Sequence, residues 1–410
     1  MALLVQKYGG SSLADADRIK GVAGRIAAAQ DDGHKVVAVV SAMGDTTDAL
    51  LSLARQVSDR PSARELDVLW STGELVSCTL MAMALQSMGR RAISLSGAQA
   101  GIRTNTSFGN AMIADVEPAR ILAELDRGNI VIVAGFQGVT EAMDVTTLGR
   151  GASDTTAVAL AAGLGADVCE IYTDVTGIYT ADPRLVPDAR KLDEIAFEEM
   201  LELASYGAKM NPRSIELGMV YNVPIRITSS LGDAPGTLIH EGATMKPSVG
   251  EIRNRVRGIA TDTNVAKITM LGVVDRPGIA ASLFEPLADQ GISVDIIVQN
   301  ASVDGATDMT FTVKRTDLPH ALEVVSTVAT ELGSRGVVSD ADLAKISVVG
   351  TGMQDAPGYA STMFRTLADN GINIEMITTS EIRITCIVSK DRVADAVRAL
   401  HSRFQLEKPD

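Results

Sequence analysis

The sequence predicts an α/β protein in two parts: a mostly parallel sheet clad by helices, then a pair of smaller strand–helix units. Three observations lead there. Residues 1–240 alternate apolar runs with helical stretches. Several of those runs are apolar throughout, the pattern of strands buried on both faces. Beyond a Pro- and Gly-containing stretch at 233–250 the chain repeats itself.

In chain order, Leu3–Tyr8 reads as a strand that passes through Lys7 into Gly9, Gly10 and Ser11, with a helix expected from about Leu13. Lys35–Ser41, Asn129–Gly135 and Asp167–Thr173 read as buried strands, and Glu65–Met88 and Asp154–Leu164 as helices between them. Several strands end in polar, Gly-containing loops, where open α/β sheets hold ligands. In the second part, Ala266–Thr269 matches Ala344–Ser347 and Leu287–Ile292 matches Leu367–Ile372, at offsets of 78 and 80 residues. Each copy reads strand, Pro-Gly turn, helix, strand, strand, helix. The first adds a last strand at Gly336–Ser339 and the second lacks one, so Val256–Thr261 is expected to fill that edge. The expected domains are residues 1–240, a linker at 241–255, a first repeat at 262–340, and a second repeat made of 256–261 plus 341–410.

Composition narrows the function. A net charge of -14 argues against non-specific nucleic-acid binding, and makes single cations worth tracking. Aromatics are only 3%, so the core is aliphatic. Cys78, Cys169 and Cys386 are unpaired in spacing, the four histidines form no metal pattern, and no leader pattern precedes Lys7. No apolar run reaches the length of a membrane span. A reduced, cytoplasmic protein without a protein-built metal site is expected.

Five stretches carry chemistry. At the first, a cation and bare backbone N–H groups precede a helix, an arrangement suited to phosphate, although such turns also serve as plain connections; the Lys-before-Gly order is not a Walker A loop. Thr146–Thr156 places Arg150 on a Gly loop beside Ser153 and Asp154 at a helix start, where either can cap the helix and Arg150 can meet a carboxylate or phosphate. Thr173–Arg184 leaves a strand and turns twice. Glu74, set near the start of a helix from Leu75, either favours the helix dipole or holds an ammonium group. Lys209 stands at or beyond a helix end, where solvation is the ordinary reading. Cations and Gly loops without a nucleophile–base pair suit phosphoryl transfer to an acceptor that is already anionic.

These residues resemble the bacterial aspartate kinase family of the amino-acid kinase superfamily, which carries tandem ACT domains. The likeness covers essentially the whole chain: KYGGSS at Lys7, SAMGDTTD at Ser41, GAQAGI at Gly97, IVAGFQG at Ile132, TTLGRG…SDTT at Thr146, EIYTDVTGIYTADPR at Glu170, NVPIRITSS at Asn222 and TSEIRI at Thr379. The resemblance implies an amino-acid kinase fold followed by two βαββαβ ferredoxin-like ACT domains. It implies transfer from ATP, with Mg²⁺, to the side-chain carboxylate of L-aspartate. Lys7 and Asp154 would be catalytic. Gly9, Gly10, Ser11, Thr173, Asp174, Tyr179, Asp182, Arg184 and Lys209 would join Lys7 around ATP. Ser41, Thr47, Glu74, Arg150 and Ser153 would hold the amino acid. Asp275, Gln299, Asn300, Asn373 and Ile374 would receive lysine, threonine or both as effectors, and the ACT pair would join subunits as a homodimer or larger. In some members an internal start yields a separate regulatory subunit, and Met245 stands where one would fall.

The chain departs from the family pattern at four places. Ala152 replaces a glycine, at a cost of roughly 1 kcal/mol if that position needs positive φ. Leu75 replaces an arginine, Asn105 and Phe108 replace an aspartate and a histidine, and Lys209–Arg213 looks one residue short. A specialised paralogue with an altered acceptor or feedback, and a non-catalytic amino-acid sensor, are the competing readings; N-acetylglutamate and carbamate kinases fit the ACT pair less well.

Overall fold

The computed structural model describes residues 1–205, 210–232, 234–242, 256–300, 305–351, 353 and 357–408. It divides into two compact units, Met1–Tyr179 with Lys191–Gly250, and Thr180–Arg190 with Glu251–Asp410.

The first unit is built on an eight-stranded sheet in the order Glu194–Ile195, Thr237–Ile239, Ile225–Ser229, Val168–Thr173, Leu3–Tyr8, Lys35–Val40, Ile130–Ala134, Ala92–Leu95. The central strands are parallel, as their unbroken apolar runs require. Tyr8, Val36, Ala38, Val40 and Ile132 pack with Ile26 and Val22 of the Ala16–Asp31 helix and with Met81 and Leu85 of the Ala63–Ser87 helix. A four-stranded sheet stands apart, ordered Ile113–Val116, Ile102–Thr104, Gln137–Val139, Val145–Thr147.

Two helices differ from the sequence reading. After Gly9 the chain makes only a short 3₁₀ turn, Gly10–Leu13, and the first α-helix starts at Ala16, where the Asp15 carboxylate accepts from the Arg18 N–H at 2.8 Å. The Ala63–Ser87 helix runs unbroken through Gly73, so Glu74 lies mid-helix and the dipole reading of that residue fails. Gly73 belongs there because a Cβ would stand 3.0 Å from the Ala42 methyl. Among the described residues this is the one helix long and apolar enough to cross a membrane, longer than the apolar run read from sequence. Its buried face carries Asp67, Ser71, Glu74 and Ser77, polar groups that the fold itself must satisfy.

The second unit holds a six-stranded antiparallel sheet ordered Val294–Gln299, Ala306–Lys314, Gly258–Val274, Gly336–Val349, Arg383–Ser389, Met376–Thr379. Two long strands serve both repeats. Gly258–Asp262 pairs with Lys345–Val349, and Lys267–Leu271 with Gly336–Asp340, with register shifts between. The first repeat packs Leu283, Leu287, Val325 and Val328 of its helices on Ile268 and Phe311. The second packs Met363, Leu367, Val397 and Leu400 on Ile346 and Cys386. That second core also takes Ala181 and Val186 from the Thr180–Arg190 segment. There the Ile259 N–H donates to the Thr180 carbonyl at 2.7 Å, and the Thr180 hydroxyl lies 2.9 Å from His401 Nε2. Burial holds the His401 pKa below its usual value.

Opposite the helices, Val265, Ile296, Leu343, Met376 and Ile387 form a small cluster that joins the two repeats. It is flanked by two crossed ion pairs: Lys267 Nζ to Glu375 Oε2 at 3.0 Å, and Lys345 to Asp295. The lysines stand 78 residues apart and the acids 80, the offsets of the repeat, so the pairs are one contact made twice. The Lys267 ammonium, helped by the Asn373 amide, holds the Glu375 carboxyl below its usual value. Lys345 is 6% exposed and Asp295 46%, so solvent screens half of that pair. A double-mutant cycle on Lys345→Met and Asp295→Asn is expected to return a coupling of about 1–2 kcal/mol in denaturant unfolding; a coupling near zero would make the pair ornamental.

Candidate active site

Four neighbouring parallel strands end on one side of the first sheet: Val168–Thr173, Leu3–Tyr8, Lys35–Val40 and Ile130–Ala134. Their outgoing loops bring Asp174, Gly9–Ser11, Ser41–Gly44 and Gly135–Phe136 together. The Ser41 N–H donates to the Tyr8 carbonyl at 3.1 Å and the Gly44 N–H to the Gly10 carbonyl at 3.1 Å. Gly10 is required by this approach, since a Cβ there would stand 2.7 Å from the Ala42 carbonyl oxygen. Gly10→Ala must therefore part the two loops; a loss of at least about tenfold in kcat/KM is expected from misplaced loops, read by steady-state kinetics on protein with an unchanged circular dichroism spectrum.

Lys7 leaves the next-to-last position of its strand to reach over Gly9, its Nζ standing 3.6 Å from where a Gly9 Cβ would lie. It pairs with Asp154 Oδ1 at 2.6 Å, both side chains about nine-tenths buried. Asp154 stands in the first turn of the Ser153–Leu164 helix. The residue before that helix is Ala152, and no side chain caps it, so neither Ser153 nor Asp154 serves as the cap the sequence suggested. The free N–H groups of a twelve-residue helix, next to a partly buried ammonium, favour an anion. Ala152 has φ of -83°, so the cost foreseen for it does not arise. The positive angles fall instead at Gly149 and Gly151 on either side of Arg150. Gly135 admits this helix: a Cβ there would meet Ser153 Oγ at 2.8 Å.

Arg150 is 65% exposed and pairs with Asp48 at 2.7 Å, one residue after Thr47 in the Thr46–Val57 helix. Glu74 is 3% exposed. Its Oε1 accepts from the Ala42 N–H at 3.2 Å, while Oε2 is buried without a hydrogen-bond partner among the described residues. Burial pushes its carboxyl up to about 7, against the opposing pull of backbone N–H groups. A buried acceptor left open in this way is suited to an ammonium ligand.

The remaining candidates are placed less tightly. Thr173 donates to Asp174 at 3.1 Å at the strand end, and the Tyr179 hydroxyl lies 2.7 Å from Thr176 Oγ1. Asp182 and Arg184 pair with each other in the segment grouped with the second unit. Lys209, Met245 and most of the 241–255 linker lie outside the described residues. In the second unit the Asp275 N–H donates to Gly305, and the Asn300 carbonyl accepts from Thr307 at the end of the strand that closes on Gln299. Asn373 donates to Glu375 at 3.0 Å, and Ile374 packs on the second core.

Two residues escaped the sequence reading. Asp67 is fully buried and accepts from the Gly109 and Thr147 N–H groups at 2.9 Å and from the Thr147 hydroxyl at 2.6 Å. Arg213 donates to the Leu148 carbonyl at 2.7 Å and the Ala111 carbonyl at 2.9 Å. Asp67 belongs to no motif, and Arg213 closes the Lys209–Arg213 stretch, where only a change of length was noted. The available signal was an acidic residue in register with Ser71 and Glu74 on an apolar helix face.

Comparison with known proteins agrees with this architecture. The amino acid kinase family model matches residues 2–229, and an ACT domain model matches 268–328 and 346–404. An aspartokinase of Corynebacterium efficiens is 51% identical over 99% of this chain and 97% of its own length. The chain belongs to the aspartokinase family. Aspartokinases of Mycolicibacterium smegmatis and Corynebacterium glutamicum are also 51% identical over all of this chain and 98% of theirs. E. coli aspartokinase III, solved with aspartate and ADP, superposes with a TM-score of 0.82 at 28% identity, covering 98% of this chain and 99% of that one. Its complex with lysine and aspartate gives 0.74 at 27%. As an aspartokinase-family member the chain is a kinase, a phosphotransferase with the α/β fold and C-terminal ACT domains expected of it.

Proposed function

We propose that the protein transfers the γ-phosphoryl group of ATP to the side-chain carboxylate of L-aspartate, giving 4-phospho-L-aspartate and ADP. The observation that carries this reading is the largely buried Lys7–Asp154 pair at an uncapped helix start, with Glu74 on the Ala63–Ser87 helix and Arg150 on the loop before Ser153. Lys7 would neutralise the transferring phosphoryl group, and the backbone N–H groups of Gly9, Gly10 and Ser11 would line the phosphates. Glu74 would take the acceptor's ammonium, and Arg150 would release Asp48 to take the α-carboxylate, with Ser41, Thr47 and Ser153 nearby. The side-chain carboxylate then attacks phosphorus as an anion, so no general base is needed, and ADP leaves. Among the described residues no cluster of three or more His, Cys, Asp or Glu could cage a metal. Mg²⁺ fits a site of this kind through ATP's own phosphates and one carboxylate, Asp154, and would supply further charge neutralisation. Thr173, Asp174, Tyr179, Asp182, Arg184 and Lys209 complete the nucleotide side of the proposal.

Regulation is proposed through lysine, threonine or both at the ACT repeats, with Asp275, Gln299, Asn300, Asn373 and Ile374 as contacts. Residues 1–240, 262–340, and 256–261 with 341–410 would form the three domains. Pairing of two copies through the repeats is supported by the two outer strands of the second sheet, which expose Ile297 and Ile377 at equivalent positions. The enzyme would work in the cytoplasm, at the first step toward lysine, threonine and methionine. The test is ADP release from Mg-ATP with L-aspartate, L-glutamate and N-acetylglutamate as acceptors, each with and without lysine and threonine. Aspartate-selective turnover suppressed by an effector supports the proposal. Turnover with another acceptor, or none in folded protein, overturns it.

A further inference from the structure

Asp67 and Arg213 lie outside every role above, yet both grip the chain just before Arg150. The Asp67 carboxylate ties Thr147, at the end of the Val145–Thr147 strand, to Gly109. Arg213, on the Pro212–Val220 helix that Asn211 caps, binds the carbonyls of Leu148 and Ala111. The Ala111 N–H closes the frame on the Thr147 carbonyl at 2.9 Å. Beneath it Ala111, Phe136, Leu148 and Ala152 pack against Trp70. Arg150 is thus an exposed side chain on a loop whose incoming chain is held at Thr147 by Asp67 and at Leu148 by Arg213. Asp67 and Glu74 are seven residues apart on one helix face, a separation of about 10.5 Å along the axis. One rigid helix therefore carries both the group that ties down Arg150's loop and the group offered to the amine.

We propose that Asp67 and Arg213 are positioning residues that fix the amino-acid head of the acceptor at a set distance from Lys7, and so select the length of its side chain. The proposal rests on Arg150 and Glu74 binding that head. With the head fixed, only a side-chain carboxylate of matching reach arrives at the phosphoryl group. With the loop loosened, the head shifts and longer acids are admitted.

Arg213→Ala is expected to raise the KM for aspartate about tenfold, leave the KM for ATP within about twofold, and narrow the preference for aspartate over glutamate by about tenfold. Millimolar guanidinium, far below denaturing concentrations, is expected to restore part of the aspartate affinity. Thr147→Val, which removes one bond to Asp67 at nearly constant volume, is expected to shift the same parameters less, and serves if Arg213→Ala does not fold. Joint movement of both KM values, or an unchanged aspartate-to-glutamate ratio in both variants, would overturn the proposal. Arg150→Ala separates the two levels. If it leaves the aspartate KM unchanged, the reading of the head site fails. If it raises that KM while Arg213→Ala does not, the clamp alone fails.

Discussion

Lys7→Met is expected to lower kcat by about 10³ while the KM for aspartate changes only a few-fold. The ammonium pairs with Asp154 in the first turn of the Ser153–Leu164 helix, and its contribution is largest when the phosphoryl charge develops in a site from which water is partly excluded. The substitution also strands Asp154, whose carboxylate is nearly buried. A second variant, Lys7→Met with Asp154→Asn, removes that stranded charge. If stability returns in the double variant, the stranded charge accounts for the stability loss, and the fall in kcat measured on folded Lys7→Met belongs to the lysine's action on the reaction. Activity that survives either variant within about tenfold would remove Lys7 from the mechanism.

Glu74→Gln is expected to raise the KM for aspartate about 100-fold at pH 8, because a buried carboxylate facing an ammonium is replaced by a neutral amide. The pH dependence identifies the group. With its carboxyl near pH 7, Glu74 must lose a proton before it can pair with an ammonium. The KM of the wild type is then expected to fall about tenfold per unit as pH rises toward 7 and to level off above it. In Glu74→Gln that slope should vanish. Stability moves the other way. The folded pKa lies above the unfolded value, so the stabilising form is the protonated one; its contribution is complete below about 4.5 and is lost as pH rises through 7. At pH 8 the glutamine variant is therefore expected to be more stable, by on the order of 3 kcal/mol. A binding residue that costs stability where it works is an ordinary sign of function. A variant with lower stability and an unchanged KM slope would make Glu74 a structural residue.

The sequence made the frame of this molecule legible because its signals were periodic or repeated. Unbroken apolar runs marked the parallel strands, and offsets of 78 and 80 residues exposed the two repeats, down to the lysines and acids that form the crossed pairs. The unpaired edge of the second repeat pointed to the strand that now pairs Gly258–Asp262 with Lys345–Val349. What stayed hidden depended on tertiary contact. Glu74 read as standing near a helix start at Leu75, but Ala42 packs on Gly73 and the helix passes through. Ser153 looked like a cap, but the turn at Gly149 and Gly151 brings Ala152 to that position. Ala181 read as part of a nucleotide loop, while with Val186 it fills the core of the second unit. Asp67 and Arg213 satisfy backbone groups on distant loops, a role that leaves no local spacing to detect.

The central claim is that charge-stabilised transfer from ATP ends on a carboxylate held by this site. Its most direct test is to measure ADP and aspartyl hydroxamate together, with hydroxylamine present to trap an acyl phosphate. One hydroxamate for each ADP, dependent on aspartate and lost in Lys7→Met, is the expected result. ADP formed without hydroxamate, or at an equal rate without aspartate, would mean that the phosphoryl group goes to water and would contradict the account.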